Sequence, residues 1–401
     1  MNLAAGRTSG TACIVSVVFL VFGADTLFQT VVPVALRAEA RLSTTAIGLV
    51  MGTALGVGLV VSPIAGKLSD CRGRPSSLVP ALGAVLVGTV LTGLLGAAGL
   101  LFVVIAALIY GFGRSSAIVV TLAGVADAPG NRQRVQGLNS SAQRLSAILA
   151  ALVAALALWT RHWDIGYAVI LVFFSGAMLA SAHTKSAELR SPTDQHGWYR
   201  AVPEAFTLLR LDRRLWASSL LNLTNIALVS LGNSFLPLTL SGTAHSASGA
   251  VIVILACRDL TATGVGLAYP SLSSRVGVRG SVAICSITAV SGLGLFAVGG
   301  STLSVALVLG AALQGVALAT SIASTNLLAT ASGTGRGLRL ASTMYLSALG
   351  SLVLPVLFGV VLQVAGAQLL YLVGAGTVAT ALALAVWYLR PHRSSSFTCA
   401  T

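Results

Sequence analysis

Residues 66–74 read GKLSDCRGR, nine positions of small, basic and acidic side chains set between two long apolar runs at about 46–66 and 77–98. Glycines with charges, placed between apolar segments each long enough for a helix, mark a tight polar turn joining two helices. A second stretch, LSSRVGVRG at 272–280, has the same build, so that Leu68, Ser69 and Gly73 stand 204 residues before Leu272, Ser273 and Gly277. The same offset relates Pro33 to Pro237, Gly111 to Gly315 and Tyr167 to Tyr371. One such match means little in a chain with 43 glycines. An offset held across four helix pairs indicates a duplicated six-helix unit.

Composition agrees. Of 401 residues 56% are apolar and 8% charged, against roughly 25% charged in soluble chains. A membrane helix needs about 20 mainly apolar residues, so twelve spans take up roughly 240 and leave no room for a sizeable soluble domain. Apolar runs fall near 12–36, 46–66, 77–98, 100–124, 134–159, 165–182, 215–239, 248–270, 280–300, 302–328, 338–363 and 367–389. The expected fold is therefore an all-α polytopic membrane protein, twelve transmembrane helices in two pseudo-symmetric six-helix bundles. Its parts are an N-terminal bundle at 1–182, a basic linker at 183–214, a C-terminal bundle at 215–390 and a tail at 391–401. The first run is longer than a signal-peptide core and contains Asp25, so it reads as a retained helix.

The formal charge of +14 does not point to nucleic acid, because Lys and Arg are spread in twos and threes between apolar runs and form no stripe. With both termini cytoplasmic, only Arg37, Arg41 and Arg161 fall outside, Arg114, Arg144 and Arg258 lie within helices, and the remaining 18 of 24 basic residues are inside. The positive-inside rule selects that orientation; the membrane expected is the cell inner (cytoplasmic) membrane. Cys13, Cys71, Cys257, Cys285 and Cys399 show no CxxC or metal spacing, and His162, His183, His196, His245 and His392 sit in loops or at helix ends. No metal site, cofactor or enzyme chemistry is expected, and Lys67 lacks the context of a phosphate-binding loop.

GKLSDCRGR resembles the loop between helices 2 and 3 of the major facilitator superfamily, G-x-L-x-D-x-x-G-R, with all five fixed positions met by Gly66, Leu68, Asp70, Gly73 and Arg74. ADAPGNRQR at 126–134 also resembles that family, while LSSRVGVRG has Ser274 in place of the acid. The resemblance implies a secondary transporter working by alternating access, with Asp70 and Arg74 in a cytoplasmic gate. There are departures. The helix-4 pattern RxxQG appears as Ala107, Tyr110 and Gly111, with Arg114 two turns further on, and helix 5 has no Gly-Pro motif between Ser146 and Ala155.

A charge inside a bilayer costs about 2.5–3.5 kcal/mol on insertion scales, so each one is a functional candidate. There are five: Asp25, Arg114, Arg144, Arg258 and Asp259. Counting at about 1.5 Å per residue places all five in the middle of the hydrocarbon layer. Asp25 reads as a proton carrier, or as an acid held by an arginine, with Gln29 one turn along on the same face; Asp259 is the second proton-coupling candidate. Three arginines against two aspartates leave one positive charge over, which favours an anionic or zwitterionic substrate. Asp259 and Arg144 are expected to pair across the halves. Neighbouring helix positions point about 100° apart, so Arg258 is expected to turn from Asp259 toward the cavity. Asn225, Asn233, Gln314 and Tyr345 complete the candidate substrate-binding set.

These readings converge on a monomeric carrier of a small organic solute, with protons as partner and the lipid bilayer as surroundings. Export of a drug-like compound or metabolite comes first, on a general resemblance to efflux members of that superfamily. The alternative is proton-linked uptake or exchange of an organic anion bearing carboxylate or phosphate. From another class comes a non-transporting receptor or lipid-handling protein on the same fold.

Overall fold

The computed structural model describes residues 2–95, 99–128, 131–182, 197–240, 246–300, 303–331 and 335–390. Part of the expected linker (183–196, with His183, Lys185, Arg190 and His196), His245 and the tail from 391 (with His392 and Cys399) lie outside the described residues.

The chain is helical almost throughout: α1 (Asn2–Ala38), α2 (Thr44–Gly56), α3 (Gly58–Arg72), α4 (Arg74–Leu95), α5 (Leu100–Asp127), α6 (Arg132–Thr160), α7 (Trp163–Ala182), α8 (Ala201–Leu211), α9 (Arg213–Val229), α10 (Leu236–Leu240), α11 (Ser246–Gly299), α12 (Val305–Ala329) and α13 (Arg336–Tyr388). α2 and α3 make one span, as do α9, a π-helical turn at Ser230–Phe235, and α10. α11 and α13 run to 54 and 53 residues, about 80 Å at 1.5 Å per residue, far more than one bilayer core of about 30 Å. Each folds back on itself, at Gly277 (φ 68°, ψ 176°) and Gly366 (φ 79°, ψ −177°), conformations that only glycine adopts without strain. Ten helical runs among the described residues are long and apolar enough to cross a membrane, and the sequence-expected runs 248–270/280–300 and 338–363/367–389 fall on either side of those two turns.

The internal repeat is present in three dimensions. Gly73, between α3 and α4, has φ 92° and ψ 156°, the counterpart of its mate Gly277. Gly111 of α5 lies against the Ala54 carbonyl, and its mate Gly315 of α12 lies against the carbonyl of Arg258, which is the mate of Ala54. Even the arginines that cap helix ends across the two halves correspond. Arg132 Nη1 donates to the Thr330 carbonyl (3.2 Å), and its mate Arg336 Nη1 donates to the carbonyl of Ala126, the mate of Thr330 (2.6 Å).

The halves meet along two seams, α2–α3 against the first half of α13 and α6 against α11. Small residues make both possible, because backbones can touch where no side chain intervenes. A Cβ on Gly66 would stand 2.5 Å from the Gly337 carbonyl oxygen, and one on Gly137 would stand 2.7 Å from that of Gly266.

Candidate transport site

In the N-terminal half, α1 and α5 bring together one acid and one base. Arg114 donates from Nε to Asp25 Oδ1 (2.5 Å) and from Nη2 to Oδ2 (2.9 Å), the bidentate geometry a planar guanidinium is built for. One turn before Arg114, Tyr110 donates to Oδ1 (3.0 Å); one turn after Asp25, Gln29 donates to Oδ2 (2.9 Å). Two oxygens accept four hydrogen bonds, and the Tyr110 ring stacks on Phe28 with centroids 3.6 Å apart. Tyr110, at the glutamine position of the helix-4 pattern, is a hydrogen-bonding member of the cluster.

The C-terminal half holds an equivalent. Asn233 and Gln314, the 204-residue mates of Gln29 and Tyr110, flank a second buried pair, Arg258 with Asp259. Arg258 donates from Nε to Asp259 Oδ1 (3.2 Å), and from Nη2 to Asp259 Oδ2 (2.8 Å) and Asn233 Oδ1 (2.7 Å). This corrects the expectation that Arg258 faces the cavity. Adjacent Cα–Cβ bonds do diverge, but the arginine stem is long enough to bend back, and Arg258 is 1% exposed. Its guanidinium rests over Gly232, where any Cβ would collide with Nη1. Gly232 belongs to the π-helical turn, and Pro237, four residues beyond Asn233, has no amide to continue the helical ladder there.

Arg144 of α6 reaches across from the other half. Its Nη1 lies 3.6 Å from Asp259 Oδ1, longer than either Arg258 bond, and its Nε has no partner among the described residues.

Between the halves is a cavity of about 100 Å³. Asp25, Gln29, Arg114, Arg144 and Asn225, all candidates from the sequence, line it. Asp259, Arg258, Asn233 and Gln314 are buried but do not line it. Tyr345 turns aside, its ring 6.0 Å from Phe206 of α8, and its neighbour Met344 takes the lining position. Thr26, Ser62, Ser115, Gln143 and Ser351 also line the cavity and were not singled out from sequence. Only Gln143, beside Arg144 in a polar stretch of α6, carried a usable signal.

The 66–74 loop closes one end. Asp70 accepts from the backbone N–H groups of Gly337 and Leu338 (3.0 Å each), so a carboxylate of one half caps the first turn of α13 in the other. Arg74 bridges Asp70 (2.8 Å) and Asp127 (2.9 Å), and Arg336 joins Asp127 from across the seam (3.1 Å). Gly66 permits the backbone contact, Gly73 makes the turn, and Leu68 faces a groove between α3, α4 and α5. At the opposite end, Thr44 Oγ1 donates to the Gly359 carbonyl (3.1 Å) and Thr45 Oγ1 to Gln363 Oε1 (2.7 Å).

Two related helical halves with membrane-length helices, buried ion pairs and a polar cavity between them define a polytopic membrane carrier. The Major Facilitator Superfamily model matches residues 14–265, more than half of the sequence, and the chain belongs to that superfamily of transporters. No protein with a curated description matches the sequence. Among solved structures, a single-site mutant of the nucleoside transporter NupG is similar at a TM-score of 0.73 and 16% identity, over 95% of this chain and 100% of that one. The human organic anion transporter MFSD10 (TETRAN) is similar at 0.72 and 18%, over 94% and 99%. The E. coli fucose:proton symporter FucP, also as a mutant, gives 0.69 and 16%, over 95% and 98%. At these identities the structural likeness bears on the fold.

Proposed function

We propose that this protein moves a small polar organic solute across the cytoplasmic membrane by proton-coupled alternating access, with both termini cytoplasmic, acting as a monomer. The units that rock are residues 1–182 and 215–390, joined by the linker at 183–214 and followed by the tail at 391–401. The observation that carries the reading is the Asp25–Arg114 pair, buried on the wall of the cavity between the halves. A proton and a guanidinium compete for one carboxylate. When a proton takes Asp25, Arg114 is released toward the cavity; when the proton leaves, the bidentate pair re-forms. Asp259, bonded to Arg258 and touched by Arg144, is the second coupling candidate.

Export remains the proposed direction, on the resemblance to efflux members. The lining, with Gln29, Gln143, Asn222, Asn225 and Asn326, suits a hydrogen-bonding metabolite better than a lipophilic drug, which favours mainly apolar pockets. A second reading, uptake or exchange of an organic anion, is favoured by the unpaired Nε of Arg144 on the cavity wall.

The test is reconstitution into liposomes with an imposed pH gradient, scanning polar metabolites while recording proton movement. Solute accumulation with matching proton flux supports the proposal, and solute flux indifferent to the gradient refutes the coupling.

A further inference from the structure

Arg144 differs from the other two membrane arginines in what it leaves unpaired. Arg114 and Arg258 each hold an aspartate of their own half through two hydrogen bonds, the first pair beside Gln29 and Tyr110 and the second beside their repeat mates Asn233 and Gln314. Arg144 has no acid of its own half among its partners; its 204-residue mate is Ala348, another cavity-lining residue. Its one charged contact is the 3.6 Å approach to Asp259, a carboxylate that Arg258 already serves at 2.8 Å. Arg144 lines the cavity where Arg258 does not, and its Nε, on a residue 6% exposed, has no partner. With the pair Asp25–Arg114 balanced, the Arg144–Arg258–Asp259 cluster carries the one positive charge left over at this depth.

We propose that Arg144 is the receptor for an anionic group, carboxylate or phosphate, of the transported solute, and that engaging it unlatches α6 from α11. Arg258 is the positioning residue that makes this exchange feasible. An arginine that leaves a buried carboxylate normally strands an uncompensated charge, which is strongly destabilising. Here Asp259 keeps Arg258 when Arg144 departs, so a carboxylate or phosphate in the cavity competes against only the long contact. Its planar fork gives such a group two parallel hydrogen bonds. The contact it breaks crosses between the halves, one turn from where Ser141 Oγ donates to the Thr263 carbonyl (3.0 Å) in the same seam. Binding and opening are thereby coupled through one side chain. The inference rests on the transport reading of this cavity and narrows its substrate class.

The experiment uses the full chain in nanodiscs with a reporter thiol, Ser141→Cys, buried in the α6–α11 seam. Its alkylation by N-ethylmaleimide is read by peptide mass so that the native cysteines stay in place. The probes are propionate, lactate and inorganic phosphate, with propionamide and lactamide as neutral shapes at constant ionic strength. The expected result is a saturable rise in alkylation of at least about fivefold with an anion and none with the amides. Arg144→Gln should abolish the rise. Arg258→Met, which leaves Arg144 as the sole partner of Asp259, should slow basal alkylation and shift any response to higher anion concentration, and Arg258→Lys should restore part of it. The proposal is overturned if the reporter ignores all three anions, if Arg144→Gln keeps the saturable response, or if Arg258→Met and Arg258→Lys both respond as the parent does. The readout needs no transport. An anion-sensitive reporter in a protein that moves no solute in liposomes would refute the transport reading alone, and solute flux with an insensitive reporter would refute this inference alone.

Discussion

Replacing Asp70 by alanine should open the end of the bundle that the 66–74 loop closes. Two of its hydrogen bonds cross between the halves, to the Gly337 and Leu338 amides at 3.0 Å each. Hydrogen bonds to a charged group contribute about 1.5–3 kcal/mol apiece, and a carboxylate at a helix N-terminus adds a few tenths to 1 kcal/mol. The Asp70 side chain is 19% exposed, and solvent recovers part of that when the seam parts, so the net loss to the closed state is about 2–4 kcal/mol. At 1.4 kcal/mol per factor of ten, the closed-to-open ratio should fall about 30- to 700-fold. Breaking the Arg74–Asp70 pair adds little, since Arg74 keeps Asp127 and the pair is partly exposed. The assay is alkylation of Ser62→Cys, on the cavity wall, by a membrane-impermeant reagent applied from the side bearing residues 66–74. The rate should rise steeply in Asp70→Ala and less in Asp70→Asn, which keeps one acceptor oxygen. An unchanged rate in Asp70→Ala would refute the assignment of Asp70 as a gate contact.

The other predictions concern the same seams and the buried pair. Gly337→Ala should also hold this end open, because the added Cβ would stand 2.5 Å from the Gly66 carbonyl oxygen and 2.8 Å from Asp70 Oδ1; such overpacking costs about 1–3 kcal/mol, and the Ser62→Cys reporter would reveal it. Arg336→Gln should open the gate more than Arg132→Gln, since both lose a carbonyl across the seam but only Arg336 also loses Asp127; equal effects in the same assay would count against the Asp127 bridge. Asp25→Asn should abolish transport driven by a pH gradient while leaving solute counterflow measurable, and intact gradient-driven transport in that variant would move coupling to Asp259 or remove it.

Much of this architecture is legible in the chain itself. An offset of 204 residues fixes which positions are equivalent, and the structure extends it to contacts no motif announces, such as the paired caps by Arg132 and Arg336. Counting residues along helices brings Arg144 and Asp259 to one level, because rise per residue is nearly constant. Rotation about a helix axis is less readable. A shift of one position separates Met344, on the cavity wall, from Tyr345, which packs toward α8. Side-chain reach is least readable. A Cβ direction cannot say that Arg258 curls back to its neighbour over a glycine, because that depends on the space Gly232 and the π-helical turn provide. Small hydroxyls such as Ser62 and Ser115 occur throughout the chain, so nothing in sequence separates those on the cavity from those bonded to their own helix.

The claim on which the rest depends is that one cavity is reached from the two faces of the membrane in turn. Ser115→Cys places a thiol on its wall, to be challenged with a membrane-impermeant reagent from each side of oriented vesicles, in the parent and in Asp70→Ala. The account predicts labelling from both sides in the parent, and in Asp70→Ala a gain from the side bearing residues 66–74 with a matching loss from the other. Labelling from a single side in both proteins would contradict it and point to a closed binding protein on this fold.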